Sequence, residues 1–143
     1  MAGRYRLELS DDAGTRGHVE LEIPAEGRAR FDTMLSLPGI GVVAVRDDDI
    51  APPRGRLLEV RADGLWAELI CEVPGEHWGF GLEAFGLRFD SESEALASDV
   101  GDRVPVGFDL EWEIGDRVHG EILVGRQRIP FDGSGSMRAE EVR

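Results

Sequence analysis

Apolar and polar residues alternate along much of the chain, and the clearest case is residues 103–114. Large apolar side chains occupy the even positions there, from Val104 to Ile114, and the odd positions include the acidic row Asp109, Glu111 and Glu113. A period of two places each set on its own face of a strand, whereas a helix would scatter both sets around its surface. The segment is therefore predicted to be a strand with one buried apolar face.

Shorter alternating runs predict further strands, separated by turn residues. Asp63-Gly64 is typical of a tight hairpin turn, and Pro-Gly pairs end the runs that precede residues 40 and 77. One short helix is predicted after Ser91, which would be its N-cap, with Glu94 at the capping-box position. The predicted strands cover residues 4–9, 19–23, 31–37, 40–45, 57–61, 65–73, 77–89, 103–114, 118–124 and 128–131.

About 9–10 short strands with one helix predict an all-β fold, an antiparallel barrel or half-barrel with an apolar interior. The chain has 143 residues, and we expect one barrel domain over residues 1–132 that needs no disulfide or metal for stability. Three glycines within residues 77–89, Gly79, Gly81 and Gly86, predict the strong coiling that barrel closure requires. The Gly, Ser and charged residues of 133–143 predict a disordered tail.

The composition of the chain limits the binding partners and the cellular location that we expect. The 29 acidic and 16 basic residues give a net charge of −13, which argues against nucleic acid and anionic membranes as partners. No apolar run approaches the roughly 20 residues of a membrane-spanning helix, and the first residues lack the pattern of a signal peptide. We therefore expect a cytoplasmic protein. The lone Cys71 stands among apolar neighbours and is predicted to be a buried thiol.

Several kinds of chemistry lack their sequence motifs. The chain contains no phosphate-binding loop before a helix, no dinucleotide-binding fingerprint and no nucleophile elbow. The three histidines, His18, His77 and His119, fall on separate predicted strands without the spacing of metal ligands. The sequence therefore predicts neither a metal nor a cofactor.

Acid–base chemistry in an apolar cavity remains as a candidate. Glu83, His77 and Asp109 are the predicted catalytic groups, because a carboxyl or imidazole in a dry pocket can be tuned for proton transfer. Glu83 lies in an uncharged stretch that is apolar on both faces, so the pattern leaves open whether it points inward. The predicted substrate-binding side chains are Trp66, Trp78, Phe80, Phe85, Phe108, Trp112 and His119.

Three segments of the chain resemble a known group of proteins. Glu-His-Trp at 76–78, Gly-Leu-Glu-Ala-Phe-Gly at 81–86 and the strand at 103–112 resemble a family of uncharacterised bacterial proteins. That family is similar to the lipocalin-like group of carotenoid 1,2-hydratases, tocopherol-cyclase-like proteins and fungal Diels–Alderase-type cyclases. The resemblance covers roughly residues 30 to 135 and implies a lipocalin-like barrel for a polyene-like or polyketide-like ligand, with no cofactor.

The chain departs from that group in one respect. Such proteins have two lipocalin-like halves, joined through a His-Ser-Trp-Gly run, and residues 136–139 here read Ser-Met-Arg-Ala instead. We therefore expect either a stand-alone single barrel or a chain that needs another copy. A homodimer would also cover the sheet edges that an incomplete barrel leaves.

Two functions follow, and the sequence leaves both open. One is a cofactor-free cyclase, isomerase or hydratase of secondary metabolism, acting by acid–base catalysis on a lipophilic terpenoid- or polyketide-like molecule. The other is a non-catalytic binding protein for a hydrophobic ligand or a protein partner. The orientation of Glu83, His77 and Asp109 separates them, because the first function needs these groups to face a cavity.

Overall fold

The computed structural model describes residues 2–142, so Met1 and Arg143, the outermost residues of the predicted domain and tail, lie outside the described part. Residues 2–142 form ten strands and one short helix, which confirms the predicted all-β class. The helix is α1 (Glu92–Ala97). The strands are β1 (Ala2–Ser10), β2 (Arg16–Ile23), β3 (Ala29–Leu37), β4 (Gly41–Ile50), β5 (Leu58–Ala62), β6 (Leu65–Val73), β7 (His77–Phe89), β8 (Asp102–Glu113), β9 (Arg117–Val124) and β10 (Gln127–Val142).

Eight of these strands close into an antiparallel barrel in the order β4-β3-β2-β1-β10-β9-β8-β7. The barrel closes where residues 42–44 of β4 pair with residues 87–89 of β7. Residues 77–84 of β7 pair instead with β6, which continues into β5. Strand β7 therefore forks, and the β5–β6 hairpin extends the sheet beyond the closed barrel.

Gly86 lies at this fork, one residue before the pairing with β4. A Cβ atom at Gly86 would come within 2.8 Å of the carbonyl oxygen of Ala44 and 2.9 Å of the Val45 side chain. Real side chains do not tolerate such contacts, so glycine lets β4 approach β7. The other predicted coiling glycines differ, because Gly79 meets only the Ile70 side chain at 3.9 Å and Gly81 lies under the ring of Trp66.

Alternate residues of the barrel strands point inward and fill the interior. Among the described residues the core forms one main apolar cluster, whose buried members expose at most 8% of their surface. Its largest fully buried side chains are Tyr5, Phe31, Phe80, Phe131, Leu7, Leu21, Leu35, Ile50, Leu82 and Leu110. The apolar interior predicted from the alternation is confirmed, and it is packed with side chains.

Helix α1 covers part of the outer face of the barrel. The Ser91 side chain caps it by accepting a hydrogen bond from the Glu94 backbone N–H at 3.2 Å, as the sequence predicts. Ala95 is fully buried in a small second cluster with Val42, Ala44 and Phe89. The short helix therefore shields the outer surface next to the closure of the barrel.

The predicted disordered tail is wrong, because β10 continues to Val142. Residues 134–142 pair with the whole of β1, from Ser10↔Ser134 to Ala2↔Val142. The glycines that suggested disorder are needed in the strand, since a Cβ at Gly135 would overlap the carbonyl oxygen of Glu8 on β1. Glycine has no Cβ atom, so it lets two strands approach this closely, and the same lack of a side chain makes it common in flexible tails.

The predicted burial of Cys71 is also wrong. The thiol is exposed, as are all residues from Ile70 to Glu76. The last part of β6 extends past the core, so its apolar side chains, including Ile70 and Val73, meet solvent. An apolar sequence neighbourhood therefore did not imply a buried cysteine here.

Candidate functional site

The three predicted catalytic residues lie on the outer face of the barrel. Glu83 and Asp109 are exposed, and His77 is half-buried. His77 and Glu83 are six residues apart on β7, about 20 Å at the rise of a strand, so the structure does not bring them together. Their inner neighbours, such as Leu82, occupy the core instead. The open question of Glu83 is thereby answered: it points outward.

His77 and His119 lie in two neighbouring rows of mostly charged side chains on the outer face. His77 Nε2 lies 2.8 Å from a carboxylate oxygen of Glu111, in a hydrogen bond. His119 Nε2 lies 3.3 Å from a carboxylate oxygen of Glu113, but it is buried and makes no aligned hydrogen bond. No group of three or more His, Cys, Asp and Glu residues within 2–142 is arranged to hold a metal ion. Both pairs are cross-strand contacts on the outer face, and the His119 Nε2 atom is shielded from solvent there.

Four of the predicted substrate-binding side chains, Trp78, Phe80, Phe108 and Trp112, are core residues. Trp78 packs against the Tyr5 ring with centroids 5.8 Å apart. The indole N–H of Trp112 lies 3.2 Å from both Asp116 Oδ1 and the Gly135 carbonyl oxygen. Contacts with other side chains satisfy these aromatic residues, so they line packed space rather than a ligand cavity.

Trp66 and Phe85, the other predicted aromatic residues, lie outside the barrel and define a groove. Cross-strand pairing places Trp66, Glu83, Gly107 and Leu123 in one outward row across β6, β7, β8 and β9. Phe85 and Pro105 pair in the next outward row. We call this hollow the Trp66–Phe85 groove; it is lined by Trp66, Glu83, Phe85, Pro105, Gly107 and Leu123 and encloses about 470 Å³.

The shape of the groove follows from particular residues in the sequence. Gly107 has no side chain, so a depression remains between Glu83 and Leu123. Gly81 is covered by the Trp66 ring, since a Cβ there would come within 3.1 Å of the indole. The indole N–H of Trp66 donates to Glu59 at 3.2 Å, which fixes the ring orientation. The groove is thus built from glycine gaps between large side chains.

The electrostatics of the groove are uneven. Phe85 is 54% exposed, and the guanidinium of Arg103 lies 4.6 Å from its ring centroid. Within residues 2–142 the Glu83 carboxylate has neither a hydrogen bond nor an ion pair, and the two arginines at the ends of its row, Arg61 and Arg128, form ion pairs with other glutamates. A carboxylate without a partner therefore stands in a largely apolar groove.

A second polar cluster, on β2, β3 and β4, was missed by the sequence reasoning. His18 Nε2 lies 2.7 Å from Asp32, and Arg46 donates to the same carboxylate at 3.1 Å. Burial alone would raise the pKa of Asp32, but the hydrogen bonds from His18 and Arg46 outweigh it and lower that pKa. Arg46 also donates to the carbonyl oxygen of Ala95 at 2.7 Å. The cluster therefore ties helix α1 to the barrel.

Residue spacing gives no signal for this second cluster. His18, Asp32 and Arg46 are each 14 residues from the next, and only the register of three strands aligns them.

No helix in the described part of the chain has the length and apolar character to cross a membrane.

The fold and the groove define the chain as an eight-stranded antiparallel barrel with a two-stranded extension and an outer apolar groove. Three comparisons with known proteins find no match: none with a family model, none with a curated protein and none with a solved structure. The architecture is consistent with the lipocalin-like barrel predicted. The resemblance to hydratase-like and cyclase-like proteins stays a prediction.

Proposed function

We propose that this chain is a non-catalytic binding module, which holds a basic, apolar-rich segment of another protein in the Trp66–Phe85 groove. The observation that carries the proposal is the Glu83 carboxylate, which has no hydrogen bond or ion pair within residues 2–142 and lies with Trp66, Phe85 and Leu123 on the outside of a packed barrel. An exposed apolar patch that is bordered by polar groups is typical of a binding surface.

The apolar part of the groove supports binding. Trp66 is half-buried and already oriented by Glu59, and Phe85 exposes 54% of its surface. Aromatic side chains held in one orientation lose little conformational freedom when a partner covers them, and they are enriched among the residues that dominate binding energy. The groove therefore offers pre-organised apolar contacts for a bulky side chain of a partner.

The shape of the groove favours a protein segment over a small molecule. Sites for small molecules are enclosed and usually bury most of the ligand surface. The Trp66–Phe85 groove is open to solvent along its length, and the interior of the barrel is filled with side chains. An extended segment can cross such a groove and continue over the surrounding surface.

Charge favours a basic segment. Glu83 is available for an ion pair, and the net charge of −13 attracts basic partners before contact. The stacking of Arg103 on Phe85 is an internal example of a guanidinium on a ring of this groove. A partner with Arg or Lys next to a bulky apolar residue would satisfy the carboxylate and the aromatic rings together.

The acid–base enzyme stays a prediction with little geometric support. That chemistry needs a carboxyl in a dry cavity, where its pKa is raised and water is excluded. Glu83 and Asp109 are exposed on the outer face, and His77 is paired with Glu111. A direct test is to incubate the protein with polyene and polyketide substrates, because turnover that Glu83→Gln abolishes would favour the enzyme over the binding module.

A displayed library of random peptides, selected on the immobilised protein, tests the proposed function. We expect enrichment of peptides that place Arg or Lys beside an aromatic or branched apolar residue. Synthetic copies should bind Trp66→Ala at least roughly tenfold more weakly, the effect typical of losing an aromatic anchor. Glu83→Gln should weaken binding severalfold and reduce its dependence on salt.

Asp109→Asn is the matched control for the charge. Asp109 is exposed on the same outer face and pairs with Gly81 in the row beside the groove, but it does not line the groove. Its loss should leave peptide affinity unchanged. Equal effects of Asp109→Asn and Glu83→Gln, enrichment without basic residues, or binding that ignores Trp66→Ala would each contradict the proposed function.

A further inference from the structure

The second half of β10 has one unpaired edge. Residues 127–134 pair with β9, and residues 134–142 pair with β1 on the opposite edge. Within residues 2–142, no strand pairs with the β9-side edge of β10 beyond Ser134. Most of residues 136–142 are exposed. An exposed strand edge is a template for another strand.

Two backbone contacts fix the direction of the N–H and C=O groups along this edge. Gly135 points away from β1, because its N–H donates to the Asp116 carbonyl oxygen at 2.9 Å and its own carbonyl accepts from Trp112. The Glu140 carbonyl points the other way, toward Gly3 of β1. Backbone groups alternate sides along a strand, so the odd residues Met137, Ala139 and Glu141 present their N–H and C=O groups to the free edge.

Two charged side chains on this segment make no hydrogen bond or salt bridge within residues 2–142, although Glu140 lies directly opposite Arg4 of β1 and interacts with it electrostatically. Arg138 and Glu140 lie on the outer face, and among the described residues neither has a hydrogen bond or an ion pair. Arg138 lies directly opposite Arg6 of β1, whose charge is neutralised by Glu8 and Glu20. Arg138 therefore stands beside a like charge with no carboxylate of its own.

We propose that the free edge of β10 pairs antiparallel with the same edge of a second copy of this chain, centred on Ala139. In this register Arg138 of each copy lies opposite Glu140 of the other, in a pair where side chains approach most closely. The residues that carry the free backbone groups then face one another, giving about six hydrogen bonds between the chains. The contact is self-complementary, as a two-fold dimer requires.

Other antiparallel registers oppose like charges or need backbone groups that are already bonded. A centre at Arg138 or Glu140 would set that charged side chain directly opposite the same side chain of the other copy, which is destabilising. A centre at Met137 would need Gly135, whose backbone bonds with Asp116. A centre at Glu141 would set that carboxylate against its own copy. Only the centre at Ala139 matches free backbone groups and opposite charges together.

This inference goes beyond the proposed function, because it names a second copy as partner at a different surface. Sedimentation velocity from about 10 μM to about 1 mM covers the range expected for a small interface. We expect the wild-type chain to dimerise over this range. A chain that stays monomeric at about 1 mM overturns the proposal.

Ala139→Pro tests the strand pairing. The substitution removes an N–H that faces the free edge, so pairing with β1 is left intact, and proline is tolerated at such edge positions. Each dimer loses two hydrogen bonds, which should raise the dissociation constant by roughly 30-fold. Far-ultraviolet circular dichroism checks that the variant folds. Unchanged dimerisation of the folded variant means that the dimer uses another surface, and overturns the proposal.

Charge exchange tests the register, and it remains informative if the proline variant fails to fold. Arg138→Glu places two carboxylates opposite each other twice in the dimer and should weaken it about tenfold or more. The double variant Arg138→Glu with Glu140→Arg restores opposite charges across the axis and should restore dimerisation. A double variant as weak as the single one, or a single variant as strong as wild type, overturns the register centred on Ala139.

Discussion

The closure of the barrel at the fork of β7 can be tested with two alanine substitutions in one strand. Gly86→Ala places a methyl group 2.8 Å from the Ala44 carbonyl oxygen and 3.0 Å from the Val106 side chain. Gly79→Ala, in the same strand, meets only the Ile70 Cβ at 3.9 Å, an ordinary contact. Neither glycine has a positive φ, so the pair differs in available space and not in backbone strain.

The two substitutions should change the free energy of unfolding differently. The close contacts at Gly86 include backbone, which cannot rotate away, so overpacking should cost about 2 kcal/mol. For a chain of this size that corresponds to a fall of roughly 4–8 °C in the melting temperature. Gly79→Ala should leave stability unchanged or raise it by about 0.5 kcal/mol, because alanine reduces the entropy of the unfolded chain.

Urea denaturation and thermal melting of both variants measure these differences. Hydrogen exchange adds a local readout, since Gly86→Ala should increase exchange of the amides that join β4 and β7 at residues 42–44 and 87–89. If Gly86→Ala is as stable as Gly79→Ala within about 0.5 kcal/mol, β4 does not lie against Gly86, and the reasoning for a closed barrel fails.

Three further predictions concern single titrating or reactive groups. Because the pKa of Asp32 is lowered in the fold, the stabilisation by its carboxylate should be complete above the ordinary pKa near 3.8 and should be lost as pH falls through the folded pKa. The difference in unfolding free energy between wild type and Asp32→Asn should therefore shrink as the solution becomes more acidic. A difference that stays constant with pH would contradict this prediction. Burial, and then the Glu141 carboxylate, raise the pKa of Tyr5 to about 12. Tyr5 is the only tyrosine, so ultraviolet titration should give a midpoint near that value in the native protein and a lower one in Glu141→Gln; a midpoint unaffected by Glu141→Gln would place residue 141 away from Tyr5, as a disordered tail would. Cys71 is exposed, so a thiol reagent should label it fully without unfolding of the protein. Labelling should be slow near neutral pH, because the pKa of the thiol is raised by its slight burial and then by the carboxylates of Glu141 and Glu72. Labelling seen only in denaturant would contradict the exposed position of Cys71.

The sequence predicted strands best where one face is buried and the other is solvated. The predicted bounds 65–73 and 77–89 coincide with β6 and β7, and the alternation in 103–114 differs from β8 by one residue at each end. Period-two alternation is a direct consequence of that environment. Prediction of the fold class succeeded for the same reason, because almost every strand of the barrel has a buried inner face.

Prediction failed where structure depends on distant pairing. Residues 133–142 have the composition of a tail, yet they form a strand because β1, more than 120 residues earlier in the chain, provides a partner along its whole length. Local composition contains no trace of that partner. The Asp32 cluster was missed for a related reason, since strand register alone brings its members together.

The orientation of Glu83 was undetermined because the outer face is itself apolar there. Its neighbours Leu82 and Ala84 point toward the core, while Phe85 and the cross-strand partner Trp66 line the outer groove. A strand that is apolar on both faces gives no alternation to read. The ambiguity in the pattern is therefore the sequence signal of an apolar outer groove.

The two proposed surfaces are separable, and that separation bears on how the protein works. The Trp66–Phe85 groove crosses β6 to β9, whereas the free edge belongs to residues 136–142 of β10, which among the described strands pair with β1 alone. Trp66→Ala should thus leave dimerisation unchanged, and Ala139→Pro should leave the affinity of one groove for a free peptide unchanged. A dimer would nevertheless hold two grooves at a fixed separation. A partner with two basic apolar segments would then bind more tightly to wild type than to Ala139→Pro, because the second segment binds at a high effective concentration.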